Sequence, residues 1–143
     1  MSQANVKLVE GTPVLEGDYV LLVRDDENWA VAAEALAPHF HEDVEFTGVR
    51  FDDETTYTGL EGLRALWLDW LAPWTSYRVE AHDPIDLGDR VLLPTFNFGC
   101  LHGSAEEVRM DAAAVFTLRE GKVARVEFYA DRSEALKAVG LEE

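Results

Sequence analysis

His39 and His41, followed at once by Glu42 and Asp43, bring four metal-capable side chains together in the chain. Their spacing matches no zinc motif, in which ligands sit at intervals that let them converge on one ion. The run reads as an exposed turn at a helix end, and no metal or cofactor is implied. His82, beside Asp83 at the end of a strand-like run, and His102, in the stretch Gly99 to Ser104, carry imidazole, the side-chain group most used for proton transfer near neutrality. Either could serve as a general acid or base at the mouth of a cavity; a solvated loop histidine is the plainer reading. Trp67, Trp70 and Trp74 recur at helical spacing and form an aromatic wall, which either packs a sheet or stacks on a flat ligand. Mixed use is expected, with one or two tryptophans on the sheet and one lining a cavity. Asp111, Arg125 and Glu127 read first as cross-strand or interface ion pairs. The sequence carries no phosphate loop, dinucleotide fingerprint, nucleophile elbow or paired-cysteine motif, so nucleotide-dependent and covalent mechanisms have no support.

The elements that must position these groups change character halfway along the chain. Thr12-Pro13 predicts a helix start, with Leu15, Tyr19, Leu22 and Val23 on one face as far as about Arg24. Asp25, Asp26, Glu27 and Asn28 can cap a second helix whose stripe is Trp29, Ala32, Ala33, Leu36 and Ala37, ending before Pro38. Val44-Glu45-Phe46 alternates as a short strand, and Gly48 to Tyr57 reads as a loop or small hairpin. Thr58-Gly59-Leu60-Glu61 fits a capping box, opening a helix that buries Leu60, Leu63, Trp67, Trp70, Leu71 and Trp74 and stops at Pro73.

Strand periodicity follows over Tyr77 to Ala81, Arg90 to Phe98, Val108 to Leu118 and Val123 to Ala130, and a short helix opens at Asp131. The last two strands form a hairpin around Arg119-Glu120-Gly121-Lys122. With a three-residue loop ending at Gly121, Met110, Ala112, Ala114 and Phe116 share an apolar face with Ala124, Val126, Phe128 and Ala130, the face expected to line a cavity. The opposite face, with Asp111, Ala113, Val115, Thr117, Val123, Arg125, Glu127 and Tyr129, suits a dimer surface. A register one residue off would bring Asp111, Glu127 and Tyr129 to the cavity instead. Helices first and an antiparallel sheet afterwards indicate an α+β layer, with the sheet wrapped around the long helix as a cone.

Composition bounds the partners. At 143 residues, with 48% hydrophobic and 28% charged residues, the chain fits one domain with a sizeable core and no linker. A formal charge of −16 would repel nucleic acid and anionic membranes, and anionic ligands are disfavoured for the same reason. Cys100 is the single cysteine, which excludes an intrachain disulfide and agrees with a reducing, cytoplasmic setting. No stretch reaches the roughly 20 apolar residues needed to span a bilayer.

The order of elements resembles the nuclear transport factor 2-like superfamily, more closely its SnoaL-like and ketosteroid-isomerase-like members. The likeness rests on Phe40-His41-Glu42-Asp43-Val44-Glu45-Phe46, Thr58-Gly59-Leu60-Glu61-Gly62-Leu63-Arg64 and Phe116-Thr117-Leu118-Arg119-Glu120-Gly121-Lys122-Val123, and spans nearly the whole of residues 1–143 as one domain. It implies a cone-shaped, cystatin-like α+β fold, N-terminal helices packed in a curved antiparallel sheet, pairing of two copies through the outer sheet face, and a small apolar molecule held inside. The isomerases of this superfamily use an aspartate base, a tyrosine and a protonated aspartate to stabilise a dienolate. The tyrosine corresponds to Tyr19, but the base falls at Phe46 and the second aspartate at Ala114, neither of which carries a carboxylate. The expected pocket is therefore lined by Phe46, Trp67, Trp70, Ala114, Phe116, Val126 and Phe128. Two functions follow from it: an acid/base isomerase, cyclase or dehydratase with Tyr19 as donor and His82, His102 or Asp111 as proton carrier, or a noncatalytic ligand-binding or dimerisation module.

Overall fold

The computed structural model describes residues 18–50 and 53–141, so the helix start expected at Thr12-Pro13 lies outside the described residues. In chain order the elements are α1 (Tyr19–Arg24), α2 (Asp26–Leu36), a 3₁₀ turn (Ala37–His39), β1 (Phe40–Arg50), β2 (Asp53–Thr58), α3 (Gly59–Leu71), β3 (Trp74–Ala81), β4 (Ile85–Asp86), β5 (Arg90–Leu101), β6 (Val108–Arg119), β7 (Lys122–Tyr129) and α4 (Arg132–Ala138). One curved sheet runs β2-β1-β7-β6-β5-β3, with β4 on β5, and the first three helices lie in its concave side.

Short-range polar contacts set the helix positions. The Asp18 carboxylate accepts from Val20 N at 2.9 Å, capping α1, and the same oxygen accepts from Tyr77 N at 3.1 Å, pinning the helix start to β3. Asp25 caps α2 by accepting from Asn28 N at 3.0 Å. Two arginines then cap carbonyl ends reciprocally: Arg64 of α3 donates to Val23 O at 2.9 Å, and Arg24 of α1 donates to Leu71 O at 3.1 Å. The expected Thr58 cap is absent, because α3 is entered through Gly59 at φ 75°, a left-handed turn that leaves the Thr58 hydroxyl without a bond to the helix.

Three details depart from the sequence expectation. The predicted short strand Val44-Glu45-Phe46 is the centre of β1, which extends over Phe40–Arg50 because it pairs with β2 on one side and β7 on the other. The small-hairpin alternative for Gly48 to Tyr57 holds, as the β1–β2 pair. The β1–β7 pair is parallel, so the sheet is mixed rather than purely antiparallel. At the β6–β7 turn only Glu120 and Gly121 stand between paired Arg119 and Lys122, both with positive φ (54° and 80°), the signature of a two-residue primed turn. A bulge between Thr117 and Leu118 then restores the parity of the predicted three-residue loop, so that Ala114 faces Phe128 and Phe116 faces Val126.

The outer face is divided. Leu92, Ala113, Val115 and Tyr129 are buried with Ala135 of α4, so the apolar half of the predicted dimer surface is covered by the chain's own last helix. The uncovered half carries ion pairs: Arg109 with Asp111, Arg125 with Glu127, and Arg78 with Glu80 and Glu107.

Candidate functional site

The concave side of the sheet and the three helices leave a cavity of about 210 Å³. A void of about 150 Å³ accepts benzene, so this one suits a molecule of one or two rings. Its floor is apolar: Phe40, Phe46, Leu63 and Val126 are buried there, with the Phe46 and Phe128 rings stacked at 6.4 Å. Trp67 stands edge-on to Phe128 at 5.7 Å and tilted to Tyr19 at 4.9 Å, dividing the floor from a polar wall.

That wall is built by β3 and β5. Antiparallel pairing sets Tyr77 against Gly99 and Val79 against Asn97, and alternate residues Tyr77, Val79 and Ala81 on β3 with Thr95 and Asn97 on β5 reach the cavity. Gly99 is required by this arrangement, since a Cβ there would lie 2.5 Å from the Trp74 ring and 2.9 Å from Tyr77. A hydrogen-bond chain crosses the wall: Thr95 Oγ1 donates to Asn97 Oδ1 at 2.8 Å, and Asn97 Nδ2 donates to Tyr77 Oη at 2.8 Å. The Trp70 ring stands edge-on to Tyr77 at 6.3 Å. Burial pushes the Tyr77 pKa up, against the lowering effect of the neighbouring Trp70 and Asn97 side chains; burial also pushes Tyr19 well above the usual phenol range, reinforced by the neighbouring Tyr77. Both phenols are neutral at physiological pH. Among the described residues the Tyr19 hydroxyl has no hydrogen-bond partner, although the residue is only 9% exposed. Asp69 supplies the single carboxylate of the lining, at its exposed rim with Thr55.

Tyr19, Phe46, Trp67, Trp70, Ala114, Phe116, Val126 and Phe128 all line this one cavity. Trp67 and Trp70 both line the cavity from α3, whereas Trp74, expected on the same helix face, opens β3 and lies in the core, its indole N–H buried without a partner among the described residues. The expected proton carriers lie elsewhere. Asp111 is on the outer face, half exposed and paired with Arg109 at 3.3 Å, because odd-numbered residues of this part of β6 point away from the cavity. His82 is exposed and packs its ring edge-on to Phe96 at 4.4 Å, and His102 is exposed in a turn. His41 is held by the carbonyl of Arg119 at 2.6 Å. Among the described residues no three His, Cys, Asp or Glu side chains group as metal ligands. Tyr77, Asn97, Thr95 and Asp69 were missing from the sequence-based site. The first three are legible in the i, i+2 alternation of Tyr77-Arg78-Val79 and Thr95-Phe96-Asn97.

A family model for the SnoaL-like domain matches residues 26–126. No curated protein matches the chain. Among solved structures, TerC co-crystallised with polyporic acid is similar at 20% identity and a TM-score of 0.63, covering 96% of this chain and 98% of the other. A putative SnoaL-like polyketide cyclase from Jannaschia sp. CCS1 is similar at 16% identity and a TM-score of 0.62, over 99% and 95% of the two chains. An NTF2-like protein of unknown function from Burkholderia pseudomallei K96243 reaches a TM-score of 0.64 at 13% identity, over 95% and 97%. At such identities the likeness to these structures is one of fold.

Proposed function

The chain belongs to the SnoaL-like domain family, and from that premise we propose that residues 1–143 act as one domain that binds a small, largely apolar or aromatic molecule in the cone. The observation that carries this reading is the cavity itself: a stacked and edge-on aromatic floor with a few polar groups confined to one wall, the usual make-up of a small-molecule site. The polyporic acid in the TerC crystals supports it by likeness of fold. Tetralin, a fused two-ring hydrocarbon, is the test ligand, its binding read from quenching of Trp67 and Trp70. Filling the floor with Ala114→Phe should weaken tetralin at least tenfold with the fold retained. Unchanged affinity would refute the site.

One observation favours a second reading, an acid/base isomerase or cyclase. The Asp69 carboxylate and the Tyr19 and Tyr77 phenols line the same cavity. Asp69 would take a proton from a carbon beside a ligand carbonyl, the electron pair would move onto the oxygen under a phenol O–H, and the proton would return to another carbon. Solvent-deuterium exchange next to the carbonyl of 1-tetralone, lost in Asp69→Asn, tests it. The absence of a carboxylate at Phe46 and Ala114 weighs for binding without turnover. We also propose pairing of two copies through the uncovered outer face, supported by the half-buried Phe96 and Phe98 under arginine side chains and by the buried, unpartnered Arg125 Nε; sedimentation equilibrium decides it. A cytoplasmic setting is part of the same proposal, supported by the single cysteine.

A further inference from the structure

A primary amide carries two N–H donors on its nitrogen and two lone pairs on its oxygen. Asn97 uses half of that capacity within the wall: Thr95 Oγ1 lies 2.8 Å from Oδ1, and Tyr77 Oη lies 2.8 Å from Nδ2. Turning the amide end for end would make Thr95 the acceptor and Tyr77 the donor, since a hydroxyl serves either way. Either setting uses one N–H and one carbonyl lone pair. One N–H and one lone pair of Asn97 are left, for which the described residues hold no partner. Their direction follows from the strand register. Thr95 stands two residues before Asn97 on β5, and Tyr77 pairs with Gly99, two residues after it, so the two partners flank the amide along the strand. Bonds to the two sides take the outer N–H and the outer lone pair and leave the edge between oxygen and nitrogen, a donor and an acceptor side by side. Asn97 is half-buried and lines the cavity, so this edge opens into it. Its neighbours there, Val79 across on β3 and Ala112 beside Thr95 on β6, are apolar and offer it nothing.

Given the cavity as a small-molecule site, on which this rests, we propose that Asn97 determines its specificity and that the ligand is a cyclic amide, whose N–H and C=O stand side by side and pair with the amide edge of Asn97. Thr95 and Tyr77 are positioning residues, which hold that edge toward the cavity. A ketone fills only the N–H of Asn97 and leaves its lone pair facing apolar side chains; an amine fills only the lone pair. A hydroxyl next to a carbonyl turns its proton onto its own oxygen. A carboxylic acid has the matching edge only while protonated, a form that is scarce at neutral pH. The lactam offers both groups without charge, which suits a chain whose formal charge of −16 disfavours anions.

Calorimetric titration of the full chain compares tetralin with dihydrocarbostyril, the lactam that shares its two-ring frame, and with two methylated isomers of that lactam. In a merely apolar cavity the lactam should lose to the hydrocarbon, because its amide is stripped of water without compensation. The expected result is that the lactam binds at least as tightly as tetralin. Methylation on the lactam nitrogen removes the donor and should cost about tenfold, the size of one lost hydrogen bond of about 1.4 kcal/mol. The isomer methylated on the carbon beside the carbonyl has the same volume and keeps the N–H, and should lose no more than about threefold. In Asn97→Leu, similar in size but without the edge, the discrimination between the two isomers should shrink to within about twofold. Thr95→Val should cost the lactam about threefold relative to tetralin, and Thr95→Ser should restore it. The comparison of isomers on the unmodified protein stands even if Asn97→Leu fails to fold. Equal losses for the two isomers, or discrimination that survives Asn97→Leu, overturn the pairing with Asn97 while tetralin binding leaves the cavity reading intact. Failure of tetralin itself to bind overturns both.

Discussion

Gly99→Ala tests how tightly the polar wall is built. The new methyl carbon would stand 2.5 and 2.7 Å from two atoms of the Trp74 ring and 2.9 Å from Cδ2 of Tyr77, where ordinary contacts begin near 3.4 Å. About 1 Å of movement is therefore needed, and neither ring can supply it by rotation. Trp74 is buried against Tyr77 at 5.3 Å and Trp70 at 6.2 Å, and Tyr77 is tied by its backbone to Asp18 and by its hydroxyl to Asn97. β5 must draw away from β3 instead. Overpacking of this kind costs about 1–3 kcal/mol, and the steep overlap points to the upper end. Removing a glycine from a strand returns about 0.5–1 kcal/mol through the unfolded chain, leaving a net loss of about 2 kcal/mol. For a domain of this size that lowers the melting temperature by about 6 °C and the urea midpoint by about 1 M. A double-mutant cycle with Trp74→Leu isolates the cause: the penalty of Gly99→Ala should shrink by about 1 kcal/mol or more once the ring is gone. A urea midpoint for Gly99→Ala equal to that of the parent would refute the close-packed wall.

Other expectations bear on the frame around the site. Arg132 donates to Ala112 O at 3.1 Å and Thr95 O at 2.8 Å and lies 4.9 Å over the Phe96 ring, so Arg132→Met should cost about 2 kcal/mol in urea unfolding; an unchanged midpoint would count against this clamp. Tyr19 and Tyr77 keep their protons to higher pH folded than unfolded, so they leave stability unaffected below about pH 10 and erode it as pH rises further; the tyrosinate absorbance missing from Tyr19→Phe should be a part that otherwise rises only with unfolding. The bonds that Ser133 donates hold the Asp131 carboxyl below its usual range, so its cap is at full strength above the ordinary carboxylate pKa and is lost as pH falls through the depressed value. Asp131→Asn, which caps without a charge, should flatten the acid limb of the stability curve; an identical limb would argue against the assignment.

The parts of the fold that sequence made legible are those governed by local rules. Asp25 before Trp29, the aromatic stripe of α3 and the Glu120-Gly121 turn each declare themselves through capping, period or backbone freedom. The length of β1 was hidden because His41, Glu42 and Asp43 look like a turn, whereas they form an irregular stretch of the strand between the Phe40–Val123 and Glu45–Arg125 pairs with β7, a strand some eighty residues later. The Thr58 capping box was a valid motif overruled by the positive φ of Gly59. At the site, the apolar lining followed from alternation on β6 and β7, since a face of Ala114, Phe116, Val126 and Phe128 can only point inward. The polar wall was missed for the opposite reason: Tyr77 and Asn97 gain their meaning from each other, across two strands, and neither stands out alone. His82 and His102 drew attention through their chemistry, which says nothing of where an exposed loop will point.

The reciprocal arginine caps have a consequence for how the site opens. α1 spans six residues, well short of the about 12–15 that a helix needs to persist by itself in water, so it is a helix only while docked. Among the described residues its polar holding points are Arg64 on Val23 O, Arg24 on Leu71 O and Asp18 on Tyr77 N, and with the packing of Tyr19, Val20 and Val23 on Leu71, Trp74 and Tyr77 they belong to one cooperative set. Release of one uncovers the others, so α1 exchanges its amide protons as a block, ahead of the strands beneath it. Because Tyr19 leaves with that block, a ligand binds only the docked fraction, and its apparent affinity is reduced in proportion to the undocked population. By the same linkage an occupied cone slows amide exchange in α1, a signal of occupancy that reports from the helix rather than from the ligand.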